Sequence, residues 1–268
     1  MSDRRLTRAI VRAPGQSFVS GLTTANLGAP DYKLALEQHA AYCEALEACG
    51  LTLTHLPANE QYPDSTFVED TAVIIPPQSS TGAGHSAVFT RPGATTRMGE
   101  VESVRPLLSQ LFAQTSAIVA PGTVDGGDIC HAGDRFLIGI SHRTNEQGGA
   151  QLAEVLKTCG YTSSFVDIRD IENILHLKSG IAYLGQRSLA VWEAFERLPE
   201  LSGYELVRVS SDEEYAANCL VINDTVLIAA GFPQFEAKLK SLGYQTRALQ
   251  MSEFQKLDGG LSCLSLRW

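Results

Sequence analysis

A repeated order of short elements constrains this chain more than any other feature. β-Branched apolar runs come in pairs: Thr71–Ile75 with Ala87–Thr90, Ile129–His131 with Arg135–Ile140, His176–Leu184 with Ser188–Val191, and Cys219–Ile222 with Thr225–Ala229. Gly133-Asp134 and Asn223-Asp224 separate two of the pairs, where a tight hairpin needs residues that tolerate positive φ. Stretches with helical spacing lie between the pairs. In Asp31–Cys49, Leu36, Ala40, Cys43 and Leu46 form an apolar stripe, and Glu100–Ala113, Gln147–Thr158, Ala190–Leu198 and Gln234–Leu242 read the same way. The order strand, turn, strand, helix, strand thus recurs, and joining Ser262–Leu266 to Ala9–Val11 completes a fifth unit. The expectation is one closed α/β array, a single domain over residues 1–268, since no low-complexity linker interrupts it. Pro76–Ser86, rich in Pro, Gly and Ser, is expected to project as a hairpin loop.

Composition narrows the function classes. Thirty acidic residues against 21 Lys and Arg give a net charge of −9, which leaves no basic footprint for nucleic acid or for an anionic membrane. The cations of Met1–Arg8 are followed only by Ala9-Ile10-Val11, so neither a leader nor a membrane span is expected. The six cysteines, at 43, 49, 130, 159, 219 and 263, lack CxxC spacing, which points to a reduced, cytoplasmic protein. The histidines are dispersed, with no HxH or HExxH pattern, so no metal and no cofactor is expected.

Polar residues recur at matching places in the units, at or just before the first strand of each: Glu69 and Asp70, Asp125, His176, Asn218 and Cys263. Equivalent strand ends meet at the centre of a closed array. They would bring together a thiol nucleophile, an imidazole acid/base and carboxylates suited to a cationic substrate, a set fit for attack on a guanidinium carbon. Singly, each has an ordinary explanation: a strand cysteine is more often packing, and a strand histidine more often satisfied by a carbonyl. Lys178, two residues after His176, would share its face of an extended strand, and that face should border a polar cavity.

In combination the motifs are more specific. Phe67-Val-Glu-Asp70, Thr90-Arg-Pro-Gly-Ala94 with Arg97, Asp125-Gly-Gly-Asp128, Arg143-Thr-Asn145, Leu175-His-Leu-Lys178, Ala216-Ala-Asn-Cys219 and Asp258-Gly-Gly-Leu-Ser-Cys263 follow one another over nearly the whole chain. In this the chain resembles the dimethylarginine dimethylaminohydrolase family, guanidine-modifying members of the pentein superfamily. The resemblance implies a five-bladed ββαβ propeller closed by the N- and C-terminal strands. It implies Cys263 as nucleophile, His176 as general acid/base and Asp125 as the carboxylate orienting His176. It places Glu69 and Asp70 near the guanidinium, Arg97 and Arg143 on the substrate carboxylate, and Leu22, Asp64 and Leu257 at the amino-acid end. The implied reaction hydrolyses Nω-methylated arginine to citrulline and an amine through a covalent thiouronium. The implied partner is a small-molecule substrate, and a homodimer stays open. Two departures accompany the resemblance: the long Pro76–Ser86 segment, and Asp125 where some bacterial members carry Glu. An arginine deiminase, an amidinotransferase or a non-catalytic propeller are the alternatives at this point.

Overall fold

The structure, a computed structural model, describes residues 5–78 and 84–268. It opens with β1 (Arg8–Arg12), α1 (Tyr32–Ala48) and β2 (Thr52–Leu56). Next come β3 (Ala72–Ile75), β4 (Ser86–Phe89), α2 (Glu100–Leu111) and β5 (Gln114–Ala117), then β6 (Ile129–Ala132), β7 (Arg135–Ile140), α3 (Glu146–Thr158) and β8 (Thr162–Asp167). A single helical turn, α4 (Leu177–Gly180), leads into β9 (Ile181–Gly185), β10 (Ser188–Trp192) and β11 (Glu205–Val209). The chain finishes with β12 (Leu220–Ile222), β13 (Thr225–Ala229), α5 (Pro233–Ser241), β14 (Gln245–Leu249) and β15 (Ser265–Arg267).

These strands make five three-stranded sheets, each with the middle strand antiparallel to one neighbour and parallel to the other. A parallel pair needs a crossover, and the helices supply it in four of the five sheets. The last sheet is closed by the two ends of the chain, with Ile10 opposite Leu266. The architecture is therefore the five-bladed ββαβ propeller expected from the repeat.

Local chemistry accounts for the helices. Asp31 caps α1 by accepting from Leu34 N at 3.0 Å, and Gly50, at φ +93°, lets the chain turn away after its end. Asn145 caps α3 through Gly148 N at 2.8 Å. Inside, Tyr42 and Leu46 of α1 are fully buried against the closing blade, and the Tyr42 hydroxyl meets Ser265 Oγ at 2.6 Å. Burying one Leu of this kind stabilises by about 2 to 3 kcal/mol.

Two expectations need correction. Ala190–Leu198 is not a helix: its first residues finish β10, and short 3-10 turns at Glu193–Phe195 and Pro199–Leu201 replace the crossover helix. Leu189, Ala190 and Val191 are all buried in the sheet, and Pro199 leaves too short a run for a stable helix. His176–Leu184 is not one strand either, because α4 intervenes before β9 begins at Ile181. The Pro76–Ser86 loop is described only at its ends, since 79–83 lie outside the described residues, as do residues 1–4 of the cationic N-terminus.

The innermost strands are β3, β6, β9, β12 and β15, and all start from the same end of the central channel. Just before each lies a short helical turn: Val68–Thr71, Gly126–Asp128, α4, Ser211–Ala217 and Ser262–Leu264. The polar residues singled out above lie in these turns or directly at their ends.

Candidate active site

A small front pocket of about 30 Å³ opens among these turns. Cys263 and His176 both line it, together with Asp70. Arg97 and Arg143 border it as well, and Leu22, Asp64 and Leu257 belong to the same lining. Asp125 stands behind His176, fully buried, and Glu69 borders a second and larger cavity of about 290 Å³. The larger space runs along the inner strands and contains neither Cys263 nor His176, so size does not mark the chemistry here.

The imidazole is held on several sides. His176 Nε2 lies 3.0 Å from Asp125 Oδ2, and Asp125 Oδ1 accepts from Gly93 N at 2.8 Å. The Gly126-Gly127 pair is required by close packing: a Cβ on Gly127 would sit 2.7 Å from His176 Nδ1. Gly127 N also donates to Asp70 Oδ1 at 2.8 Å. Asp128 was not assigned a role from sequence, yet it fixes the turn that carries His176. Its Oδ1 accepts from Leu177 N at 2.9 Å, and its Oδ2 accepts from Ser141 Oγ at 2.7 Å and Thr144 Oγ1 at 2.6 Å. Its place in the Asp125-Gly-Gly-Asp128 motif was the available signal.

Arg97 is more committed than expected. Nε and Nη2 bond the Glu100 carboxylate, Nη1 bonds Asp70 Oδ2 at 2.7 Å, and Nη2 reaches the carbonyls of Asp64 and Phe67. Of its five N–H donors, one Nη1 hydrogen is left for a ligand. Glu100, three residues on and buried, was missed; the Arg-x-x-Glu spacing at a helix start was the signal. Arg143 differs: it is half-buried, and it acts on Asp64 through its charge, without a side-chain hydrogen bond or ion pair among the described residues like those that hold Arg97.

The extended-strand reading of Lys178 is also corrected. Because α4 turns the chain, Lys178 does not share a face with His176; it lines the larger cavity and pairs with Glu69 Oε1 at 2.6 Å. Arg267 Nη2 reaches the same oxygen at 2.8 Å. Glu69 Oε2 is buried without a hydrogen-bond partner. Next to Cys263, Asn218 organises the turn, accepting from Ser262 N at 3.0 Å and donating to Lys178 O at 2.9 Å.

These surroundings set the protonation states. Burial alone would lower the His176 pKa, but Asp70, Asp128 and the bond to Asp125 outweigh it and raise it to about 9. Burial pushes the Cys263 thiol well above its ordinary range, and Glu69 and Asp70 add to that, against the bond from Gly260 N and the charge of Lys178. Both shifts favour imidazolium beside neutral thiol at neutral pH. Asp70, Asp125 and His176 each bring one possible ligand atom within 4.8 Å of the others. A divalent cation there would have to displace the Arg97 contact from Asp70 and the proton from His176.

Above the pocket, Gly21–Ala25 is strapped across by Leu22 N on Asp64 Oδ1 at 3.0 Å and Thr24 N on Asp258 Oδ2 at 2.6 Å. Leu22 is exposed on this strap although it lines the pocket.

The chain as a whole is similar to known proteins. The N(G),N(G)-dimethylarginine dimethylaminohydrolase of Pseudomonas aeruginosa is 41% identical over 260 residues, covering 97% of this chain and 98% of that protein. The chain belongs to the dimethylarginine dimethylaminohydrolase family. The Streptomyces coelicolor enzyme of the same name is 31% identical over 271 residues, covering 97% of this chain and 96% of the other. A structure of the Pseudomonas aeruginosa enzyme, a Cys-to-Ser mutant complexed with citrulline, superposes with a TM-score of 0.91 at 40% identity, over 99% of this chain and 100% of that one. The N-terminal domain of ArgZ, a cyanobacterial arginine dihydrolase, superposes at 0.83 with 17% identity, which extends the fold alone. No family model matches the chain.

Proposed function

We propose that this chain hydrolyses Nω-methylated L-arginine to L-citrulline and methylamine or dimethylamine, with Cys263 as nucleophile. One observation carries the reading: a buried thiol and an Asp125-bonded imidazole line one small pocket among acidic strand entries. A guanidinium cation compensates those acids, and the buried, partnerless Glu69 Oε2 is the acceptor it would satisfy beside Asp70. The family relatives bear the name of this activity, and the Pseudomonas aeruginosa structure holds citrulline.

On binding of the cationic substrate the Cys263 thiol releases its proton to solvent; the thiolate adds to the guanidinium carbon, and the bond to the methylated nitrogen breaks. His176 gives its proton to that nitrogen, so the amine leaves neutral and a thiouronium remains. Water then adds to the same carbon as His176 takes one of its protons. The C–S bond breaks and the second water proton passes to the departing sulfur, so citrulline forms and Cys263 returns as the neutral thiol beside imidazolium. Asp125 holds His176 on its Nε2 side throughout.

Arg143, with its guanidinium uncommitted, is the principal partner for the substrate carboxylate, and Arg97 adds its single remaining Nη1 hydrogen. Leu22, Asp64 and Leu257 close around the amino-acid end. Agmatine, lacking the carboxylate, should then be a poor substrate. The free thiols of all six cysteines suit a reducing, cytoplasmic setting, and no helix among the described residues is long and apolar enough to cross a membrane.

The deciding experiment measures citrulline and dimethylamine from asymmetric dimethylarginine, with Cys263→Ser as control. Equimolar products, absent in the variant, are expected; release of ammonia from unmodified arginine at a higher kcat/KM would assign a deiminase instead. A second measurement addresses protonation. The carboxylates that oppose thiolate formation are neutralised by the cationic substrate, so thiolate absorbance should rise on binding a non-hydrolysable guanidinium ligand. Confirmed binding with no rise would exclude substrate-assisted ionisation.

A further inference from the structure

The larger cavity forms the rear of the central channel, and its chemistry differs from that of the front pocket. Each of the five inner strands contributes an apolar residue, Ile74, Ile129, Ile181, Val221 and Leu266. At its inner end Glu69 Oε1 accepts from both Lys178 and Arg267, whose side chains are only 15% and 14% exposed. Arg5 and Trp268 also line it. Among the described residues, Arg5, Lys178 and Arg267 thus face a single side-chain carboxylate in a protein whose net charge is −9. One carboxylate leaves two largely buried cations incompletely neutralised, and a counter-anion would relieve that cost. At about 290 Å³ the cavity is large enough for a small organic molecule, with an apolar wall and a few charged groups at one end.

We infer that this rear cavity is a binding site for a small carboxylic acid with an apolar tail, its carboxylate on Lys178 and Arg267 and its tail along the inner strands. Binding there does not depend on which substrate the front pocket takes. It acts on Cys263 through Glu69. Arg267 also donates from Nη1 to the carbonyl of Ser262, the residue before Cys263, at 2.9 Å, so an anion that draws Arg267 away both uncovers the Glu69 charge and loosens the turn that carries the thiol. The occupant is therefore inhibitory.

Trp192 and Trp268 are the two tryptophans of the chain, so Trp192→Phe leaves Trp268 as the reporter inside the cavity. Hexanoate, hexanol and hexylammonium share one tail and differ in head charge. Hexanoate should change Trp268 fluorescence saturably, hexanol should bind about tenfold or more weakly, and hexylammonium should not bind, since one charged contact is worth about 1.5 to 3 kcal/mol. Val221→Phe, which narrows the cavity, should abolish the hexanoate response; Arg5→Ala, at an exposed residue whose loss should not perturb folding, should weaken it. Saturating hexanoate should slow iodoacetamide alkylation of Cys263, by about tenfold for each unit that the thiol pKa rises. An equal response to hexanol refutes an anion site. Loss of the response in Arg143→Ala would place the acid in the front pocket and likewise overturn the proposal. Binding with unchanged alkylation rate refutes the coupling through Glu69.

Discussion

The front pocket and the rear cavity are two ends of one channel, built from the same five blades, yet they solve opposite electrostatic problems. The front is small and sets Asp64, Asp70 and, just behind, Asp125 against Arg97, Arg143 and His176, so a cationic substrate enters among acids that the protein's own cations already partly answer. The rear is larger, has apolar strand residues for walls, and carries an excess of cations. The turns before the inner strands feed both ends: Asp70, His176 and Cys263 line the front, while Glu69 and Lys178 border the rear together with residues of the strands themselves.

Thiols test this division most severely. Cys263 in front and Cys130 and Cys219 behind are all buried, with raised pKa values, so burial alone predicts no distinction. Cys263→Ser should lower turnover by about a thousandfold or more, whereas Cys130→Ser and Cys219→Ser should leave kcat/KM within about threefold. A comparable loss from either rear variant would erase the functional boundary.

Stability comes next. Arg97→Ala leaves Asp70 and Glu100 buried without their cation and should destabilise the fold by about 3 to 5 kcal/mol in urea unfolding. Arg143→Ala, losing no protein partner, should stay within about 0.5 kcal/mol of the parent. Equal losses would show that the two arginines are not divided between structure and ligand.

The third effect is pH-dependent. His176 has a folded pKa raised from 6.5 to about 9, so its stabilising share is fully present below about 6.5 and is lost as pH climbs through 9. That share is up to about 3 kcal/mol at one unit per 1.36 kcal/mol. The melting temperature should fall between pH 6.5 and 9.5, and His176→Asn should lack that part of the fall. Parallel curves would disprove the acidic cage around the imidazole.

Smaller kinetic changes sharpen the roles within the front pocket. Asp125→Asn should cut kcat by about 10- to 100-fold with little change in KM. Arg143→Ala should instead raise KM for methylarginine by about tenfold or more and barely affect agmatine. If both variants moved kcat and KM alike, orientation and substrate anchoring would not be separable.

Much of this was legible because the repeat states its own closure. The hairpin pairs, four of the five helices and the union of Ser262–Leu266 with Ala9–Val11 appear in the chain as spacing alone. The missing helix after β10 was not legible, since Ala190–Leu198 has helical spacing but its first residues are taken up by sheet burial. The saturation of Arg97 was equally hidden: Asp70 lies 27 residues away, and only the fold makes them partners.

Residue identity and order alone determined which chemical groups exist, how many blades they belong to, and that thiol, imidazole and acids recur at strand entries. Tertiary structure decided which way each group faces. One turn of helix at Leu177–Gly180 separates His176 from Lys178, and two cations from distant segments meet on one oxygen of Glu69. Hydrophobic periodicity specifies which face of a strand is buried, but irregular turns have no period, so the direction of their side chains emerges only when the blades pack.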